Sequence, residues 1–190
     1  MTTQDEYLKE VRRSMMGMEP AVREDILREL RSHMVESMAA NGGNVVAALS
    51  GFGSPHEVGR HYRELYGYGR AFRFLFVVMA FLLAIPSIPV LVAGEASPFP
   101  SSLSLAFLGV VAAWILWVSV AAGSRTGLLA GVAGFAGRAV AFGATATIQP
   151  GAVATAAGIG LLVIVSSALV LLGWLPGTAK KSWGAPKIDL

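Results

Sequence analysis

The sequence predicts an all-α protein in two parts. A small N-terminal bundle of four short helices comes first, then a polytopic α-helical membrane domain, with four spans favoured and three as the alternative. Three observations carry this reading. The chain is too apolar for water: of its 190 residues 54% are hydrophobic and 14% charged, with mean hydropathy +0.60, against about 25% charged in a soluble domain. Its charge is unevenly placed. Residues 1–73 hold ten Lys/Arg and ten Asp/Glu, whereas residues 74–190 hold five and two, which accounts for the whole net +3. Finally, residues 74–94 form a run of 21 without one ionisable side chain. At about 1.5 Å per residue, a helix of that length matches the roughly 30 Å hydrocarbon core of a bilayer.

The head is expected over residues 1–69. Thr3-Gln4-Asp5-Glu6 has the form of a capping box, and Leu8, Val11, Met15 and Met18 then recur on one helical face. Gly17 is the expected stop. A second helix starts at Glu19-Pro20, where a first-turn proline costs little. Its apolar stripe is Val22, Ile26, Leu27, Leu30, Met34 and Met38. Its opposite face carries Arg23, Glu24, Arg28, Arg31 and Glu36, the candidate docking surface for a partner. Asn41-Gly42-Gly43 ends it. A short third helix over 45–50 presents Val45, Ala48 and Leu49, with Phe52 beyond it, and Gly53 closes it. Ser54-Pro55-His56-Glu57 is a second capping box, opening a fourth helix with Val58, Tyr62, Leu65 and Tyr66 as its apolar positions. Gly67-Tyr68-Gly69 is expected to be a loose link into the membrane. A head this small is marginal alone, so support from the bilayer or a second copy is expected.

The membrane domain is expected over 70–178, with spans near 72–94, 103–123, 127–148 and 152–175 and a basic tail over 179–190. Pro86 and Pro89 should kink or end the first span, because each removes a backbone N–H from the ladder. Arg60, Arg63, Arg70 and Arg73 lie on its near side and the turn over 94–102 has no basic residue, so the positive-inside rule places the head in the cytoplasm. The polar, acidic N-terminus has no signal-peptide pattern. Trp114 and Trp117 lie deep in the second span and should pack against neighbouring helices. Residues 127–148 are ambiguous, because Arg138 falls at their centre at an insertion cost of about 2.5–3.5 kcal/mol. Gly127, Gly131 and Gly134 offer small-residue spacings for close packing. If the segment spans, Gln149-Pro150-Gly151 is an outer turn and Lys180-Lys181-Ser182-Trp183 anchors the tail inside. If it lies in the interface, Arg138 stays wet and the last lysines end outside. Arg138 either faces a neighbouring helix's carbonyls or lines a polar cavity that binds an anion or lipid headgroup.

The sequence excludes some chemistry. With no cysteine there is no disulfide, thiolate site or cysteine nucleophile. HExxH is absent, and His33, His56 and His61 lack metal-ligand spacing. Gly51-Phe52-Gly53 and Gly67-Tyr68-Gly69 follow no strand and make no phosphate loop. No His or Lys stands within the spans to activate Thr145, Thr155, Ser166 or Ser167. No catalytic residue, metal or cofactor is therefore expected, and the basic balance reflects membrane flanks rather than nucleic-acid binding.

The head resembles the N-terminal module of the HAAS-type signalling domain family over about residues 4–66. The resemblance rests on Tyr7-Leu8-x-x-Val11, Met15-x-Gly17-Met18 and Arg23-x-x-Ile26-Leu27-x-Glu29-Leu30-Arg31-x-His33. It continues through Gly42-Gly43, Val46-x-Ala48-Leu49 and Phe52-Gly53-Ser54-Pro55-x-Glu57-Val58. It implies a small prokaryotic protein with a helical cytoplasmic head before several spans, a sensing or signalling role at the cell membrane, often beside PadR-like transcription regulators, and no catalytic residues. The expectation is a non-enzymatic signalling or interaction module whose partners are the lipid bilayer and a protein in the cytoplasm or membrane, with a homo-oligomer also open. The alternative is an accessory subunit of a membrane transport or export system with Arg138 lining a path. An intramembrane enzyme is the weakest reading.

Overall fold

The computed structural model describes residues 4–88, 101–148 and 155–183, with the side chains of 101–102 and 180–183 left aside. The Thr3 cap, the Pro89 part of the expected kink, the Gly94–Pro100 portion of the outer turn, the Gln149-Pro150-Gly151 turn and the side chains of the Lys180–Trp183 anchor therefore lie outside the described residues. The described structure is helical, and the chain divides into two compact units, Met1–Phe72 and Arg73–Leu190.

The first unit holds α1 (Gln4–Ser14), α2 (Pro20–Ala40), α3 (Val45–Ser50) and α4 (Pro55–Tyr66). The helices form where the caps ask for them. Pro20 opens α2 without a lost bond, and Ser54 Oγ accepts from the Glu57 N–H at 3.2 Å. One cap was not anticipated: Asn44 Oδ1 accepts from the N–H groups of both Val46 and Ala47 at 3.1 Å and starts α3. The core joins Tyr7, Leu8, Val11, Met15 and Met18 to Ile26, Leu30 and Met34, with Val22, Leu27, Leu49, Phe52, Val58 and Tyr62 packed around it. Tyr7 also donates to the Gly53 carbonyl at 3.2 Å, tying α1 to the turn before α4.

Helix α4 departs from the expected pattern. Leu65 and Tyr66 are exposed. Contact with α1 is made instead at buried Gly59, where a Cβ would strike Ser14 Oγ and approach the Val11 carbonyl at 2.8 Å. Since α1 ends at Ser14, opposite Gly59, the later turns of α4 have lost that partner. The link after α4 is not loose either. Gly67 takes φ +72°, the Gly69 N–H donates to the Gly17 carbonyl at 2.7 Å, and the Arg70 N–H donates to Glu19 Oε2 at 3.0 Å. A Cβ on Gly69 would meet the Glu19 backbone at 2.9 Å, so this approach requires glycine.

Helix α5 (Arg70–Ala84) begins in the first unit and passes into the second at Arg73; the second unit continues with a 3-10 turn (Ile85–Ser87), α6 (Ser101–Ala122), α7 (Ser124–Ile148) and α8 (Ala156–Trp183). Four helical stretches are long and apolar enough to cross a membrane: Arg70–Ser87, Leu103–Ala122, Ser124–Ile148 and Ala156–Ala179. Phe74, Leu105, Leu161 and Ile164 are each more than 60% exposed, an outward apolar surface that only lipid or another protein would cover. The α-helix of the first span stops at Ala84 and tightens into the 3-10 turn at Pro86. In contrast, α8 runs through Pro176 to Trp183, past the expected end at Leu175. There the Gly177 N–H donates to buried Ser119 Oγ of α6 at 3.0 Å.

Helix α7 packs against α6, α8 and the 3-10 turn. Its buried positions are Thr126, Gly127, Ala130, Gly131, Gly134, Gly137, Arg138 and Thr145. A Cβ on Gly127 would collide with the Gly173 carbonyl of α8, and one on Gly173 with that of Gly127. Gly131 lies against the Val170 and Leu169 backbone, and Gly137 against the Phe81 carbonyl of α5. Gly134 admits Ile115 of α6. These backbone approaches replace hydrophobic drive between helices, which lipid does not supply. Phe76 meets Trp114 and Trp117 edge-on at 5.9 and 5.5 Å, and the Trp114 indole N–H donates to the Phe76 carbonyl at 3.1 Å.

Candidate functional site

Polar side chains come together in both units. In the head, α1 and α2 leave a groove of about 420 Å³ lined by Asp5, Leu8, Lys9, Arg12, Glu24, Leu27, Arg28 and Arg31. Leu8 and Leu27 form its apolar floor because both belong to the core stripes. Two ion pairs join α1 to α2: Arg12–Glu24 at 2.8 Å and Arg31–Asp5 at 3.4 Å. Arg28 pairs with Asp25 on its own helix. All are exposed, and such pairs contribute about 0–1 kcal/mol. Of the five residues expected to form a docking face, the structure gathers Glu24, Arg28 and Arg31 in this groove. Arg23 does not line it: Arg23 Nη2 reaches Glu24 at 3.5 Å, and its Nε is enclosed without a hydrogen-bond partner among the described residues. Glu36 stands beside His33, 3.5 Å from Nδ1.

A second concavity was missed by the sequence reading. It lies over the α3–α4 turn, lined by Leu30, Phe52, Val58 and Tyr62 with His33, Glu57 and His61. Phe52 to Glu57 read as helix punctuation, and only the fold shows that α2 faces that turn. Burial raises the Tyr62 phenol above its ordinary value, with the nearby Glu29 and Tyr66 adding to it. Burial likewise raises Tyr7, with Tyr62 contributing. Among the described residues no group of three or more His, Asp or Glu is placed to hold a metal.

In the second unit Arg138 is 5% exposed. Its Nε donates to Ser166 Oγ of α8 at 3.0 Å. Its Nη1 donates to Ser87 Oγ at 2.8 Å and to the Ser87 carbonyl at 3.2 Å. Ser87 Oγ in turn donates to the Ala84 carbonyl at 2.6 Å. The chemistry follows from the end of the first span. The last carbonyls of a helix have no partner within it, and at membrane depth each must be satisfied. A guanidinium meets that need and suits a helix C-terminus electrostatically. Ser87 and Ser166 were not singled out as its partners. The available signal is compositional: with no carboxylate between residues 96 and 188, a buried arginine there must use hydroxyls and carbonyls.

Residues 6–60, within the head, match the HAAS family. The match spans α1 to the first half of α4 and every groove residue except Asp5. Comparison with curated proteins and with solved structures found no match.

Proposed function

We propose that this is a non-enzymatic, multi-pass membrane protein that acts as a signalling or interaction module, with its N-terminal HAAS domain in the cytoplasm docking a protein partner. One observation carries the reading: a domain of a signalling-associated family sits on the same chain as four helices long and apolar enough to cross a membrane. The α1–α2 groove supports it as the docking surface, because an apolar floor under exchangeable ion pairs can trade its own carboxylates for those of a partner. The arginines before the first span support a cytoplasmic head. The test is capture from native membranes with wild type and an Arg28→Glu/Arg31→Glu variant. A protein recovered by wild type and lost with the variant supports docking at the groove. Equal recovery by both removes the groove from the proposal.

A second reading, an accessory subunit of a transport or export system, is favoured by one observation, the buried Arg138 between helices. Normal transport by an otherwise folded Arg138→Leu variant would remove its support.

A further inference from the structure

We propose that Arg138 anchors an anion site inside the membrane unit, taking a phosphate-type oxygen ligand at Nη2. A guanidinium has five N–H donors. The contacts to Ser166 and Ser87 use Nε and Nη1. Nη2 makes no hydrogen bond among the described residues, and it is not among the enclosed polar atoms that lack a partner, so it lies at the small part of Arg138 still open to the outside. The bonds that are made satisfy donors but leave the charge. The described residues from Arg73 onward contain no Asp or Glu, and a buried charge without a counter-charge is costly. Helix α6, which packs against the same 3-10 turn, carries a second unspent donor: Ser104 is 2% exposed and its Oγ has no hydrogen-bond partner among the described residues.

These features select the ligand class. A guanidinium is weakly hydrated and forms strong charge-assisted bonds to phosphate oxygens. Ten residues separate Arg138 from the end of α7 at Ile148, about 15 Å of helix. A lipid phosphate reaches that depth where the bilayer thins around a buried arginine. A free phosphate reaches it through a wetted path. Both present the same oxygen to Nη2.

The experiment follows thermal unfolding of the whole protein in neutral detergent by tryptophan fluorescence, since all four tryptophans lie between residues 114 and 183. The added probes are phosphatidylglycerol micelles, phosphatidylcholine micelles, inorganic phosphate and chloride. Phosphatidylglycerol or phosphate should raise Tm, while phosphatidylcholine and chloride should not. A response to phosphatidylglycerol alone identifies a lipid headgroup, and a response to inorganic phosphate identifies a free anion. Arg138→Gln should abolish the rise, and Arg138→Lys should weaken the apparent affinity about tenfold, the scale of one charge-assisted hydrogen bond. Ser166→Ala removes a bond to the guanidinium but no charge, so it should keep the response. An equal response to all four probes, a rise that survives Arg138→Gln, or an equal loss in Ser166→Ala overturns the site. Where Arg138→Gln does not fold, Arg138→Lys decides, and an unchanged affinity overturns it.

Discussion

The two units solve the same packing problem in opposite ways. The head closes around long side chains, with Met15, Met34, Val11 and Tyr7 almost wholly buried. Its helices meet through those side chains, and at Gly59 the backbone of α4 also comes close to that of α1. The membrane unit turns many of its large residues outward, buries Phe76, Val111, Ile115 and Val118, and brings backbones together at Gly127, Gly131, Gly137, Gly173 and Gly177. Water explains the first arrangement, because removing apolar area from it is worth about 25 cal/mol per Å². Lipid explains the second. Leucine gains nothing by leaving hydrocarbon, so short contacts between backbones and a few internal hydrogen bonds hold the helices. The contrast teaches that an exposed large apolar side chain is the exception in the head and common in the membrane unit.

The comparison can be broken from either side. The largest effect is expected from Met34→Ala in the head, about 2–5 kcal/mol for emptying a filled core site. Amide hydrogen exchange of α1 and α2 in the full chain should speed up; protection equal to wild type would mean the head is not held by this core. Next comes Gly173→Ala in the membrane unit. Its Cβ would meet the Gly127 carbonyl, and overpacking of this kind costs about 1–3 kcal/mol. A lowered tryptophan-monitored Tm in detergent is expected, whereas an unchanged Tm would sink the argument for backbone packing.

Smaller effects sharpen the picture of the head. Ser54→Ala should cost about 1 kcal/mol through the lost cap on Glu57 N–H, read as faster exchange at the start of α4. Alkali should act on the tyrosines. Folding raises the Tyr7 and Tyr62 phenols, so the folded state holds their protons more tightly than the unfolded one. Stability is then constant below the ordinary phenol range and falls as pH rises through it. Tyr7→Phe should flatten that fall, because Tyr7 also loses its bond to Gly53 on ionising. Least affected should be Arg12→Ala, which removes one exposed ion pair and should shift stability by less than about 1 kcal/mol.

Much of the fold was legible because it depends on local chemistry. Pro20, Ser54-Pro55 and Gly53 announce helix ends through backbone geometry, and the structure places α2 and α4 at those signals. Apolar length marks the membrane helices in the same way. Other features were not legible. Leu65 and Tyr66 have the right spacing for a buried face, but α1 ends too early to cover them. The last span is expected to end at Leu175, yet the helix continues through Pro176, and Ser119, far away in the chain, takes the Gly177 N–H. Of the charged face on α2, periodicity could assemble all five residues, but only the position of α1 separates Glu24, Arg28 and Arg31 from Arg23 and Glu36.

By itself, then, the sequence determined the helical class, the caps, the apolar stretches and the HAAS pattern of the head, because each is written within a few turns of chain. Tertiary structure alone decided that Glu19 caps the helix beginning at Arg70, that Gly127 faces Gly173, and that Arg138 is held by Ser87 and Ser166. Those pairs lie 28 to 51 residues apart where hydrogen bonds join them. Only the packing of whole helices brings such groups within bonding distance, and no local propensity encodes it.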